Sequence, residues 1–183
     1  MSRQPLIVGL GGTARAASTS ERALRRALDE TERLGCATRM IGGPHLPADF
    51  YSVENMARSP EARALVAALQ AADGVIIASP GYHGSVSGLV KNALDYAEDL
   101  RNDVRPYLEG RAIGLIVTAD GPQALGSTLA ALRAIAHALR GWPTPYGALI
   151  NTSVRGAAPD QMQSAEIVAR QVAEFALRAV RQP

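Results

Sequence analysis

Two stretches of the chain concentrate the residues able to do chemistry. Gly9 to Leu24 reads "GLGGTARAASTSERAL", three glycines and a cluster of hydroxyl side chains around Arg15, between a short apolar run and an amphipathic segment. A turn from strand into helix exposes backbone N–H groups at the positive end of the helix dipole, which favours an anion. Thr13, Ser18, Thr19 and Ser20 add hydroxyl donors there, and Arg15 adds a charged fork.

Several anions compete for this turn. Gly9, Gly11 and Ala14 satisfy a loose dinucleotide pattern, but that pattern also needs an acidic residue closing the second strand, and Asp29, Glu30 and Glu32 fall within the first helix instead. A nucleoside triphosphate loop is excluded because no Gly-Lys-Ser/Thr follows the glycines. A terminal monophosphate, a dianion without a second phosphate to bridge, matches a loop rich in donors rather than in glycine. The plain alternative is a Ser/Thr helix cap beside a solvated arginine.

The second stretch, "SPGYHGSVSGLVKNALDY" from Ser79 to Tyr96, closes another apolar run and turns sharply at Pro80-Gly81-Tyr82-His83-Gly84. Its glycines let backbone approach a flat ligand closely, and Tyr82 offers a ring and a hydroxyl.

Elements that position these turns can be read from periodicity. Apolar, β-branched runs at Leu6–Leu10, Cys36–Ile41, Gly74–Ala78, Ala112–Thr118 and Tyr146–Ile150 predict strands, and their near-continuous apolarity suits parallel strands covered on both faces. Between and after them lie helical stripes: Ala23 to Leu34 with Thr19 or Ser20 as cap, Ala62 to Leu69 opened by Ser59-Pro60-Glu61, Leu89 to Ala97, Leu125 to Leu139, and Ile167 to Val180. Strict β-α alternation predicts an α/β three-layer sandwich: a five-stranded parallel sheet of flavodoxin-like order 2-1-3-4-5 with helices on both faces. In that order the first and third strands are neighbours, and both turns border one crevice at the switch point. The segment from Ile41 to Pro60 is the longest loop.

Length and composition bound the rest. A chain of 183 residues, 47% hydrophobic, supports one core, so residues 1–183 are expected to form a single domain. A net charge of +2 without a Lys/Arg block argues against nucleic acid and for a small-molecule partner. One cysteine, Cys36, excludes an internal disulfide and a multi-cysteine metal cluster, and three scattered histidines argue no metal. With no run approaching a membrane span and too short an apolar start for a signal peptide, a cytoplasmic protein is expected, with no membrane partner.

Gly12-Thr13-Ala14-Arg15-Ala16-Ala17-Ser18, Pro80-Gly81-Tyr82-His83 and Gly88-Leu89-Val90-Lys91-Asn92-Ala93-Leu94-Asp95 together resemble the NAD(P)H-dependent FMN reductases of flavodoxin-like fold. Those carry a Gly-Ser-x-Arg-x-x-Ser phosphate loop, a Pro-Glu-Tyr-Asn loop beside the isoalloxazine and a Gly-x-x-Lys-Asn-Ala-x-Asp helix. The order and spacing match from about Pro5 to Ile150. The resemblance implies FMN as cofactor, NADPH or NADH as hydride donor, and free flavin, a quinone or another small molecule as electron acceptor. It implies FMN contacts at Thr13, Arg15, Ser18, Thr19 and Ser20, at Pro80, Gly81, Tyr82, His83 and Gly84, and at Asp120 and Gly121 in a third loop. No catalytic side chain is required of the protein; His83 is a candidate modulator of the reduced flavin. Gly81 stands for the usual acidic residue, His83 for asparagine, and Ser20 where asparagine is frequent. A homodimer or homotetramer is implied as well, with Phe50, Tyr51 and Tyr107 as candidate contacts.

Plainer roles suit other conspicuous residues. Lys91, Asn92 and Asp95 orient and cap the third crossover helix, Cys36 is buried and inert, and Arg133, His137 and Arg140 form a solvated face. The alternative function from another class is a flavodoxin-type electron carrier that binds FMN without using NAD(P)H; a dehydrogenase using NADP directly is disfavoured by the missing second-strand acid.

Overall fold

The computed structural model describes residues 3–54, 57–153 and 159–180. In chain order these form β1 (Leu6–Gly11), α1 (Thr19–Arg33), β2 (Ala37–Gly42), α2 (Pro60–Ala71), β3 (Gly74–Tyr82), β4 (Ser85–Val86), α3 (Gly88–Asp95), β5 (Ala112–Ala119), α4 (Pro122–Ala138), β6 (Trp142–Asn151) and α5 (Pro159–Ala179). Short 3-10 turns occupy Gly43–His45 and Tyr96–Leu100.

Five strands pair in parallel in the order β2-β1-β3-β5-β6, which is the expected 2-1-3-4-5 connectivity of a flavodoxin-like sheet. The chain leaves β1 toward β2 and then reverses past β1 to β3, so right-handed crossovers place α1 and α2 on opposite faces. One core cluster packs Leu65, Leu69, Val90, Leu94 and Leu132 against one face of the sheet. The other packs Leu24, Leu28, Val168 and Val172 of α1 and α5 against the opposite face. All eight residues of β5 are buried, as a strand covered on both sides demands.

Three details depart from the sequence reading. A sixth strand, β4, pairs antiparallel with the end of β3; two residues are too few to leave an apolar period, and the strand exists because the turn before it folds the chain back. β6 starts at Trp142 rather than Tyr146. Pro143 and Pro145 read as strand breakers, but β6 is an edge strand with a bulge opposite Ile113 to Leu115, where missing N–H donors are tolerated. The cap of α1 is Ser18, not Thr19 or Ser20: its Oγ accepts from Glu21 N at 3.3 Å, leaving both of those residues inside the helix.

At the amino end of the sheet the polar groups are tied down. Arg111 is fully buried and donates to the carbonyls of Gln70, Ala72, Tyr107 and Glu109. Burial lowers its pKa to about 10, still well above neutrality. Buried Asp73 accepts from Leu6 N at 2.8 Å and pairs through both oxygens with Arg3. The long loop before α2 is pinned too. Asn92 of α3 accepts from Tyr51 N and donates to the carbonyls of Pro47 and Asp49, while Tyr96 Oη donates to Asp49. Tyr51 and Tyr96 meet edge to face at 5.3 Å, and Arg58 covers both rings.

Of the plainer readings, Lys91 pairs with Asp95 at 2.6 Å along α3, but the cap of that helix is Ser87 and Asn92 holds the loop. Cys36 is buried just before β2, and burial pushes its thiol pKa up. Arg133 donates to Pro145 O and Arg140 lies over Tyr107, while His137 is exposed.

Candidate active site

Three turns at the carboxyl ends of β1, β3 and β5 converge on one cavity of about 490 Å³. The first leaves β1 through Gly11, whose φ of +141° and whose backbone lie so close to β3 that a Cβ there would meet Ala78 O at 1.9 Å. Gly12 N bonds Ala78 O at 3.0 Å, which fixes the loop's exit against β3. The loop then shapes itself. Thr13 Oγ1 accepts from Arg15 N and donates to Arg15 O, both at 3.1 Å, and Ala17, at φ +54°, gives its N–H to Glu21 Oε2.

The hydroxyls expected to be donors therefore divide. Those of Thr13 and Ser18 are engaged in building the loop and capping α1, and Ser18 Oγ also lies 3.3 Å from Ser20 Oγ. The N–H groups of Thr19 and Ser20, in the first turn of α1, have no intrahelical acceptor. Arg15 is exposed, and its guanidinium has no partner among the described residues. Thr13, Arg15, Ser18, Thr19 and Ser20 all line the cavity. Its α1 end is thus a set of open donors and one free positive charge.

The second turn is a β-hairpin rather than an irregular loop. Gly81 and Tyr82 pair with Val86 and Ser85, and His83 and Gly84 form the connection with φ of +52° and +81°. Positive φ at both central residues is the type I′ arrangement, which suits glycine and, among other residues, Asn, Asp and His. His83 can therefore replace asparagine while the turn is kept. Ser79 Oγ accepts from Ser87 N at 3.1 Å and ties the hairpin base together. A Cβ on Gly81 would crowd α4 and the end of β5, at 2.8 Å from Thr128 Oγ1, 3.0 Å from Ala119 Cβ and 3.1 Å from Ala124 O. No side chain, acidic or otherwise, fits at that position with α4 where it lies. Thr128 Oγ1 is itself buried without a hydrogen-bond partner among the described residues.

The third turn follows β5. Asp120 lines the cavity together with Thr118, Ala119 and Ala124, none of the last three singled out by the sequence. Gly121, at φ +113°, lies in an adjoining crevice shared by His83, Gly84 and Asp120 rather than in the main cavity. Thr152 also lines the cavity, and neighbouring Asn151 positions the turn: its Oδ1 accepts from Gly121 N at 3.2 Å and from Ser153 N at 3.0 Å. Asn is a turn former at the end of an apolar run, and that was the available signal for it.

The cavity can receive a ligand with an anionic end and a polar, flat end. Free amides and Arg15 meet the first; hairpin backbone, Tyr82 and Asp120 meet the second. FMN has that shape and charge, and the open donors at α1 are the groups a terminal phosphate requires. Among the described residues no group of acidic, histidine or cysteine side chains could hold a metal ion, and no helix is long and apolar enough to cross a membrane.

Comparison with known proteins bears on the fold and the family. The FMN-dependent NADPH-azoreductase of Staphylococcus aureus strain USA300 is 40% identical over 75 residues, 41% of this chain and 36% of the relative. The matched stretch thus spans little more than a third of that relative's length. RosB, solved with a bound riboflavin-5′-phosphate intermediate, superposes with a TM-score of 0.80 at 14% identity, covering 98% of this chain and 81% of that one. An NADH:FMN oxidoreductase in its apo form superposes with a TM-score of 0.69 at 20% identity, covering 96% and 90%. At such identities the superpositions show the fold alone. A model of the NADPH-dependent FMN reductase family matches residues 5–154, most of the chain, and the chain belongs to that family.

Proposed function

We propose that this protein is a flavin oxidoreductase that holds FMN in the cavity between the three turns, accepts a hydride from NADPH and passes electrons to a small molecule such as a quinone or free flavin. The observation that carries this reading is the pairing, in one cavity, of unengaged donors at the start of α1 with a rigid hairpin and Asp120 at the other end. Arg15 and the amides of Thr19 and Ser20 would hold the phosphate. Pro80 to Gly84 and Asp120 would border the ring system, with Gly121 behind Asp120. Bound there, the flavin supplies the hydride chemistry; the protein's part is orientation and electrostatics. His83 sits at the hairpin tip as the side chain best placed to adjust the ring's electronic environment.

Family membership favours the reductase over an electron carrier that does not use NAD(P)H. A cytoplasmic homodimer or homotetramer belongs to the same reading, with the 88% exposed Phe50 of the pinned loop as its candidate contact. The test is the absorption spectrum of the protein titrated with FMN and then, without oxygen, with NADPH. Bound flavin that bleaches supports the reductase; flavin that binds and stays yellow supports the carrier; absence of binding overturns both.

A further inference from the structure

One side chain ties down the loop between β1 and α1 without lining the cavity. Thr13 Oγ1 closes the first half of that loop on Arg15, and in its second half Ala17 stands at φ +54°, a conformation that a residue with a Cβ keeps only when its surroundings impose it. The Ala17 N–H donates to Glu21 Oε2 at 2.9 Å. Glu21 belongs to the first turn of α1 and is absent from the cavity wall. Its side chain passes between two glycines: a Cβ on Gly12 would stand 3.6 Å from Glu21 Cβ, and one on Gly43 would stand 4.0 Å from Oε2. In the usual reciprocal cap, a Glu three residues beyond a Ser cap takes the N–H of the cap residue itself. Here the Ser18 half is present, its Oγ accepting from Glu21 N, but the carboxylate reaches one residue further back, to Ala17. The Ser18 N–H is thereby left without an acceptor among the described residues, next to the open amides of Thr19 and Ser20.

We propose that Glu21 is a positioning residue for the phosphate: by fixing Ala17 in its left-handed conformation it leaves three consecutive amides, those of Ser18, Thr19 and Ser20, as one anion cradle, and so sets the preference for FMN over riboflavin. The inference rests on the flavin reading above. A carboxylate suits the task because a hydrogen bond to a charged acceptor is stronger than one to a neutral group, and Arg25, 3.8 Å from Glu21, offsets its charge. Glu21 acts through Ala17, touching neither the ring nor the phosphate. Riboflavin carries the same ring without the phosphate, so it meets the hairpin and the third turn but makes no use of this cradle.

Glu21→Ala and Glu21→Gln would be compared with the parent for FMN and riboflavin affinity by fluorescence quenching. Alanine is a strong helix former, and the donor to the Ser18 cap is the backbone N–H of residue 21, so α1 keeps its cap in both variants. Glu21→Ala should weaken FMN about 10-fold, the worth of a charge-assisted hydrogen bond, and change riboflavin less than about 2-fold. Glu21→Gln still offers an amide oxygen to Ala17 and removes a negative charge near the phosphate, so it should bind FMN at least as tightly as the parent. Equal losses for the two flavins, no loss for either, or a Gln variant that falls with the Ala variant overturn the assignment. A parent that binds neither flavin would end the flavin reading. The same three proteins titrated with inorganic phosphate, followed by the amide NMR signals of Ser18, Thr19 and Ser20, then decide the role of Glu21: weaker binding in Glu21→Ala alone supports it, and equal binding in all three, or none, overturns it.

Discussion

At the amino end of the sheet Arg111 is wholly buried and gives its guanidinium to the carbonyls of Gln70, Ala72, Tyr107 and Glu109. At the carboxyl end Arg15 stands exposed with no partner among the described residues, beside helix amides that also lack acceptors within α1. Both arginines belong to turns that border the same sheet. What separates a structural arginine from a ligand-binding one is whether the chain itself supplies the acceptors. Where it does, the side chain is a fastening; where it does not, the missing acceptors describe the ligand.

The sharpest way to break this contrast is to remove each guanidinium in turn. Arg111→Met removes a wholly buried guanidinium with its hydrogen bonds to four carbonyls, leaving Ala72 O with Arg105 alone, and should cost about 3–5 kcal/mol of unfolding free energy. Arg15→Met removes no hydrogen bond or ion pair among the described residues and should stay within about 0.5 kcal/mol of the parent. In FMN affinity the order reverses. Arg15→Met should weaken binding about 10- to 100-fold, the worth of a charge-assisted hydrogen bond, while folded Arg111→Met should bind as the parent does. Urea denaturation and FMN fluorescence quenching give both columns, and similar losses for the two variants in either one would end the contrast.

A second comparison lies within the hairpin, between two positions that depart from the family's usual residues. Gly81 is locked by packing against Thr128 and Ala124, whereas His83 is set only by the backbone conformation of the turn. Gly81→Ala should therefore cost about 1–3 kcal/mol through overpacking and loosen FMN by moving the hairpin. His83→Asn keeps a residue that tolerates positive φ and should be neutral within about 0.5 kcal/mol. If Gly81→Ala were the silent variant, α4 would not be pressing on the hairpin as the structure describes.

These cases also mark how far the sequence could be read. The parallel order, the crevice and the loops that meet in it followed from apolar runs and glycine-rich turns, because burial on both faces of a sheet leaves a long, strong pattern. The hairpin did not follow, since β4 is two residues long and its signal is a pair of φ angles at His83 and Gly84. Nor did the cap of α1: Ser18, Thr19 and Ser20 are chemically near-equivalent, and only the chain's path decides which one accepts from Glu21 N. Asn151, which holds the third turn, and Thr152, which lines the cavity, were missed because they stand at the end of β6, whose prolines at 143 and 145 obscured the strand. Arg111 gave no signal at all. An arginine that follows Glu109-Gly110 reads as part of a surface turn, and two of its acceptors are carbonyls that the fold brings in from the end of α2.

The smallest effect expected concerns pH, and it again sets the two ends apart. Burial alone would raise the Asp73 pKa, but the Arg3 hydrogen bonds, the Leu6 N–H and the charges of Arg3 and Arg105 outweigh it and hold the carboxyl below its ordinary value. A carboxylate depressed in the folded state contributes stability that is complete above the unfolded value of about 3.9 and is lost as pH falls from there through the folded pKa. Arg3 is mostly exposed, so solvent screens its share and the contribution is modest. Asp73→Asn should flatten the dependence of the unfolding midpoint on pH below about 4 and leave its slope near neutrality unchanged. FMN affinity near pH 7 should not respond, because Asp73 lies at the far end of the sheet from the cavity. An Asp73→Asn protein that unfolded in acid with the parent's slope would show that Asp73 contributes nothing to acid stability, and that the amino end owes its stability to the buried contacts of Arg111.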